Sequence, residues 1–214
     1  MKVLIACEES QEVCKAFREL GHEAFSCDVL PCSGGHPEWH IQDDVLKHLD
    51  DGWDLMIAHP PCTHLSISGA RWFTSGKKDV KLRDDALEFV KKLMDANIKH
   101  IAIENPISVI SSRIRKPEQI IRPFMFGENS TKATCLWLKD LPKLTATNII
   151  TPTKHTSKSG LVYDEWWFNT CLISDLKKRA SVRSKTFPGI AKAMANQWNN
   201  LTKLNGGEFF SSQP

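Results

Sequence analysis

No stretch of this 214-residue chain has the length and apolarity of a membrane span. The apolar N-terminal run, residues 1–7, turns acidic at Glu8 and Glu9 and is too short for the core of an export signal. The seven cysteines, at 7, 14, 27, 32, 62, 135 and 171, are odd in number and scattered. Without an export signal they are expected to be reduced thiols in a cytoplasm. There is no G-x-G-x-x-G fingerprint and no internal repeat. A net charge of +3 is too small to name a nucleic-acid partner by itself, so that claim has to rest on local clustering. What is present is material for a core. Hydrophobic residues make up 41% and charged residues 25%, as in folded domains, and the length suits one domain with a small insertion.

Strand-like and helix-like patterns alternate along the chain. Residues 2–7 and 23–29 read as buried strands. Between them, residues 11–20 carry Val13, Ala16, Phe17 and Leu20 at helical spacing, with Ser10 as the expected N-cap and Gly21 as the stop. This is a βαβ unit of ordinary size. A loop over 30–40, rich in Pro, Gly and Ser, leads to Asp43 and Asp44, a short helix over 45–49 and a strand over 55–58. Residues 63–78 read as a mobile loop over a site. An amphipathic helix over 82–96, a strand over 99–103, a short helix over 109–114, a late strand over 134–138 and a helix over 188–201 opening on Pro188 follow. This alternation implies an α/β fold with a doubly wound, mostly parallel sheet. Residues 1–150 are then the core, 151–185 a small inserted segment, 186–204 a helix returning to the core and 205–214 a frayed tail.

The densest chemistry follows the strand at 55–58, in His59-Pro60-Pro61-Cys62-Thr63. Two prolines end the ladder and force the chain out stiffly, so Cys62 leaves at the carboxyl end of a buried strand, where open sheets bind ligands. It reads as a nucleophile, or as one more buried cysteine. Glu104 closes the next strand. Parallel neighbours bring those two ends together, giving a thiol and a carboxyl on one pocket, unless Glu104 is only a solvated strand end. The turn Cys7-Glu8-Glu9-Ser10 after the first strand stands where a nucleotide-like cofactor sits. Two carboxylates there repel a pyrophosphate, which disfavours NAD and ATP and suits the cationic centre of S-adenosylmethionine. The competing reading is that acids are favoured in a first helical turn. Asp28 suits ribose hydroxyls or a turn; Asp43 or Asp44 suits an adenine amino group or a helix cap. Cys27, Cys32, His36 and His40 run C-x4-C-x3-H-x3-H, ligand types that suit zinc, although the connection is short and Cys27 points into the sheet.

Pro60-Pro61-Cys62 together with Glu104-Asn105 resembles the DNA cytosine-5 methyltransferases, most closely the short phage- or prophage-encoded type. The similarity extends to Ala6-Cys7-Glu8-Glu9-Ser10, Ser26-Cys27-Asp28, Ser68-Gly69-Ala70-Arg71-Trp72, the segment Thr131 to Leu138 and Thr186-Phe187-Pro188-Gly189-Ile190-Ala191. The resemblance implies a Rossmann-like class I methyltransferase fold, S-adenosylmethionine as methyl donor and double-stranded DNA with a flipped-out cytosine as partner. The protein would then work in a cytoplasm, that of the host cell if phage-encoded. No membrane and no obligate protein partner is implied. Cys62 and Glu104 are the expected catalytic pair. Cys7, Glu8, Glu9, Ser10, Asp28, Val29, Asp43, Asp44 and Pro60 are expected at the cofactor. Pro61, Thr63, Asn105, Arg71 and Lys132 are expected at the DNA. The chain departs from the family in its first motif, where Glu8-Glu9-Ser10 replaces a glycine-bearing turn, and in having no clear Gln-x-Arg-x-Arg segment, for which Lys132 or Arg71 is the substitute.

A full sequence-reading domain is missing too. In its place, residues 154–185 carry Lys154, Lys158, Lys177, Lys178, Arg179, Arg183 and Lys185 around Trp166, Trp167 and Phe168. That composition suits phosphate contact plus base stacking, or a solvated basic loop around an aromatic cluster. Three other functions stay open on the sequence: an exocyclic-amino methyltransferase, an RNA cytosine methyltransferase and a noncatalytic DNA-binding protein.

Overall fold

The computed structural model describes residues 1–69, 73, 75–157 and 159–201. Its centre is a seven-stranded sheet of order β3-β2-β1-β4-β5-β7-β6. The strands are β1 (Lys2–Ala6), β2 (Glu23–Asp28), β3 (His40–Gln42), β4 (Leu55–Ala58), β5 (His100–Pro106), β6 (Gln119–Ile121) and β7 (Thr134–Lys139). β1 to β5 pair in parallel, and β7 runs antiparallel to both β5 and β6. The expected α/β fold with a mostly parallel sheet is therefore present. β1 and β4 are nearly continuous apolar runs, as strands covered on both faces must be.

Alternation along the strands divides the core. Val3, Ile5, Leu55 and Ile57 face a layer built by helix α1 (Glu12–Glu19) and helix α6 (Pro188–Gln197), with Phe17, Ile190, Met194 and Trp198 in it. Leu4, Met56 and Ile103 face the opposite layer, where helix α2 (Val80–Met94) contributes Leu87, Val90 and Leu93 and the short α3 (Ile110–Arg113) contributes Ile110. The sheet is covered on both sides, and the returning C-terminal helix belongs to the first layer.

Several local expectations are corrected. Ser10 does not cap α1. Gln11 takes the left-handed conformation (φ 59°, ψ 21°) with no side-chain cap, and the carboxylate of Glu8 reaches under the helix to accept the Val13 N–H at 2.8 Å and the Cys14 N–H at 3.2 Å. The helix expected over 45–49 is a single 3-10 turn, Val45–Lys47. β3 and β6 are three-residue strands, too short to show a period in sequence. Where described, the supposed mobile loop after Cys62 is pinned: Ser66 bridges Ser108, and Val109 N–H donates to Leu65 O at 2.9 Å.

The segment 151–185 folds as a hairpin of β8 (Lys154–Thr156) and β9 (Val162–Asp164), followed by α4 (Glu165–Cys171) and α5 (Leu176–Ser184). Buried Asp164 fastens it to the core. One oxygen caps α4 at Trp167 N–H (2.7 Å); the other accepts Thr131 N–H (2.7 Å) and Thr131 Oγ1 (2.6 Å). The tail expected at 205–214 and Lys158 lie outside the described residues.

The two burial classes give opposite expectations. Phe17, fully buried, should lose about 3–5 kcal/mol as Phe17→Ala, the usual range for an emptied aromatic site. Leu176, 67% exposed, should change by no more than about 0.5 kcal/mol as Leu176→Ala. Urea unfolding midpoints of the two variants check both, and equal losses would contradict the layer assignment.

Candidate active site

The carboxyl ends of β1, β2, β4 and β5 lie side by side, and the sheet reverses its order of growth between β1 and β4. Ligands of open α/β sheets bind at such a point. β4 is held to β5 with Ala58 opposite Ile103, so His59 comes level with Glu104. His59 N–H also donates to Ala6 O at 2.9 Å, which extends the β1–β4 ladder by one bond before the prolines end it. Pro60 is buried, whereas Pro61, Cys62 and Thr63 are exposed. Cys62 opens a 3-10 turn, Cys62–His64, whose carbonyl accepts Leu65 N–H at 3.0 Å. Asn105, 1% exposed, donates its side-chain N–H to Pro60 O at 2.8 Å. That bond holds the turn that carries Cys62, and the amide's Oδ1 is buried with no hydrogen-bond partner among the described residues.

His59 Nδ1 lies 3.0 Å from Glu104 Oε2, with side-chain exposures of only 9% and 16%. Burial works against a charged imidazole. The hydrogen bond to Glu104, that carboxylate's charge and the charge of Glu8 outweigh it, and His59 titrates above its ordinary range. Burial likewise favours a neutral Glu104, but the His59 hydrogen bond and charge, with Lys132 adding to them, hold the carboxyl below its ordinary range. Both shifts favour the imidazolium–carboxylate form of the pair. Cys62 is raised by partial desolvation; Lys132 pulls it down and Glu104 pushes it up. Lys132 thus acts on both expected catalytic groups. It is held by its own bond from Nζ to Arg183 O, 2.9 Å, at the last turn of α5. The space between Glu104, Lys132 and the strap Ser184–Phe187 is about 10 Å³, room for one water, so a planar ring has to come from the open Cys62 side.

The other sequence-predicted residues fall into two groups. At the cofactor end, Glu8 is 4% exposed and saturated by α1 amides, so its carboxylate faces inward, and burial raises its pKa. Glu9 accepts from the Ser33 hydroxyl, and Ser10 is buried. Gln11, which no sequence signal marks, locks this turn: its Nε2 donates to Ser26 Oγ and His36 O, and its Oε1 accepts from His36 N–H. Gly34 fits against it only because it lacks a Cβ, which would lie 2.5 Å from Ser10 O. Cys7, with φ 59°, starts the turn, and Val29 is 68% exposed.

Asp28 ends β2 half-buried, with Oδ1 accepting Leu30 N–H at 2.9 Å; burial raises its pKa. Asp44 caps the Val45 turn, the alternative that the sequence allowed, whereas Asp43 pairs with Lys47 Nζ at 2.7 Å. Arg71 lies outside the described residues.

The four zinc candidates separate into other bonds. Cys27 Sγ donates to Asp43 O and Cys32 Sγ to Gln11 Oε1; His36 stacks on Trp39; His40 contacts Ser26 and Leu30. Among the described residues no group of three metal-type side chains stands together. A roomier cleft of about 520 Å³ lies away from this chemistry, between α1 and Trp39. His36 at 3.8 Å and Arg18 at 5.0 Å already stack against Trp39, so that cleft offers no free ring face.

In the insertion, Lys177, Lys178 and Arg179 lie on α5, which buries no residue. Its aromatic residues make contacts within the fold: Trp166 packs on Phe187 (5.0 Å), Phe168 on His155 (4.7 Å), and Arg183 lies over Trp167 (3.9 Å), which stays 38% exposed.

His59 is the member of this cluster that sequence reasoning passes over, although it stands in the same motif as Cys62. The signal for it is the parallel register, which places the residue after β4 beside the residue near the end of β5 that carries the carboxylate. Comparison of the chain with protein-family models and with curated proteins finds no match.

The His59–Glu104 pair sets a pH dependence of stability. Glu104's share is present above its ordinary 4.5 and lost as pH falls through its lowered value; His59's share is complete below its ordinary 6.5 and lost as pH rises through its raised value. His59→Asn keeps a donor near the Nδ1 position without the charge. Its stability deficit should be largest between those two ordinary values, at most about 3–5 kcal/mol for a broken buried pair, and should shrink above neutral pH. Urea unfolding at several pH values tests this; a deficit that does not change with pH would contradict the ionised pair.

Proposed function

We propose that this chain is a DNA (cytosine-5) methyltransferase. One observation carries the reading: the β4–β5 register sets an exposed thiol, Cys62, on a stiff two-proline turn beside the partly buried carboxylate Glu104, with Lys132 acting on both. The resemblance carried by Pro60-Pro61-Cys62 and Glu104-Asn105 points the same way. The seven-stranded sheet is compatible with a class I methyltransferase fold.

Carbon 5 of cytosine is a poor nucleophile until a thiolate adds to carbon 6. In this reading Cys62 makes that bond, its thiol proton passes by way of the Glu104 carboxylate to ring nitrogen 3, and carbon 5 becomes the nucleophile. The positive charge of Lys132 favours the thiolate that burial disfavours. After carbon 5 is substituted, loss of its proton expels Cys62 and restores the ring. The base must leave the duplex stack first, since a thiol cannot reach carbon 6 inside it. S-adenosylmethionine supplies the electrophilic methyl group when bound. The residues fit it in part: Asp28, with one oxygen on Leu30 N–H, has capacity left for ribose hydroxyls, while Glu8 and Glu9 are committed to the protein's own donors. α5 supplies the basic surface for duplex phosphates.

Cys62→Ser should abolish methyl transfer to DNA while S-adenosylmethionine binding by calorimetry stays intact, because the thiol attacks the base. Normal transfer by that variant would reject Cys62 as the nucleophile. Replacing Lys177, Lys178 and Arg179 together by alanine should weaken DNA binding alike on all sequences. It should also flatten the log–log salt dependence by about 0.9 for each phosphate that is no longer neutralised. An unchanged slope would make those charges a solvated face.

A further inference from the structure

We infer that His59 is a positioning residue for base attack, acting through its buried hydrogen bond to Glu104 rather than by touching the base; this rests on the methyltransferase reading above. The geometry is specific. His59 Nδ1 takes up one carboxylate oxygen, Oε2, at 3.0 Å, and no described residue donates to the other, Oε1. A glutamate side chain has three rotatable bonds, and holding one oxygen restricts the directions from which the other, once it carries a proton, can meet nitrogen 3 of a flipped ring. His59 is itself fixed from two sides: its backbone N–H is bonded to Ala6 O at 2.9 Å, and Pro60 follows it directly.

The charged groups around the pair are Glu8 from the turn after β1, Lys132 from the segment before β7, and Cys62 beyond the prolines. Glu8 cannot take over the hydrogen bond, since it is an acceptor whose two oxygens already serve Val13 and Cys14. Lys132 is tied back to Arg183 O. Among the described residues, His59 is thus the only hydrogen-bond donor that Glu104's side chain has. Its Nε2 is buried with no hydrogen-bond partner among the described residues, so the ring's single hydrogen bond is the one to Glu104. A histidine kept only for packing would not need to face a carboxylate.

The test uses the full chain, S-adenosylmethionine and a random-sequence duplex pool in which 5-fluorocytosine replaces cytosine. The fluorine blocks the final elimination, so the covalent adduct accumulates and its rate is read on a denaturing gel. His59→Ala should slow adduct formation about a hundredfold, the lower end of what a misplaced acid–base group costs, with cofactor and DNA dissociation constants unchanged. His59→Asn, which keeps a donor near the Nδ1 position, should recover to within about tenfold of wild type. The double variant His59→Ala/Glu104→Ala should be no slower than Glu104→Ala alone, because groups that act as a unit are not additive. If His59→Ala does not fold, His59→Leu, which fills the space without a donor, replaces it in the same cycle.

Adduct formation by His59→Ala at the wild-type rate, or a multiplicative slowing in the double variant, would overturn this inference alone. Absence of any adduct with the wild-type protein would instead overturn the methyltransferase reading, and this inference with it.

Discussion

The in-register parallel pairing of β4 with β5 is the constraint on which the site depends. Ala58 opposite Ile103 leaves His59 beside Glu104 at the next step. A slip of one residue would turn every following side chain to the other face of the sheet, burying one member of the pair without the other. An unpaired buried charge costs several kcal/mol, so the pair itself opposes the slip. The two prolines then matter because they end the ladder at a fixed place. Asn105 matters because its bond to Pro60 O, 2.8 Å, holds the exit turn against β5. Cys62 emerges at the mouth of the site as a consequence of these three restraints.

A second set of restraints comes from the other end of the chain. Asp164 fastens the insertion to Thr131, and the neighbouring Lys132 bonds to Arg183 O on the exposed basic helix. The segment that presents positive charge to solvent is therefore bonded to Lys132, which acts on both Cys62 and Glu104. The insertion is small, and Trp166 and Phe168 pack within the fold while Trp167 stays 38% exposed. In this account its contribution to DNA is charge and placement, which position a protein without reading sequence.

The sequence is informative where a strong period or a strong breaker operates. β1, β4, β5 and β7, with their continuous apolar runs, and the amphipathic α2 are legible, as is the exit of Cys62 after two prolines. Short elements are not: β3, β6, β8 and β9 have three residues each, fewer than a convincing alternation needs. Acids near the first turn read as facing a cofactor, but Glu8 turns inward because Gln11 adopts a left-handed conformation that no local residue preference favours. Asp44 takes the ordinary helix-start role of aspartate, and Asp43 pairs with Lys47. His59 is visible in the motif, but its meaning depends on a partner 45 residues away, which only the strand register supplies.

The central claim is methylation of cytosine at carbon 5. It is tested most directly by mass spectrometry of nucleosides from the DNA of a methylation-free host that expresses the protein. The account predicts 5-methylcytosine with the wild-type chain and none with Cys62→Ser. A methyl group found instead on an exocyclic amino nitrogen, or no modified nucleoside at all from soluble, folded protein, would contradict it.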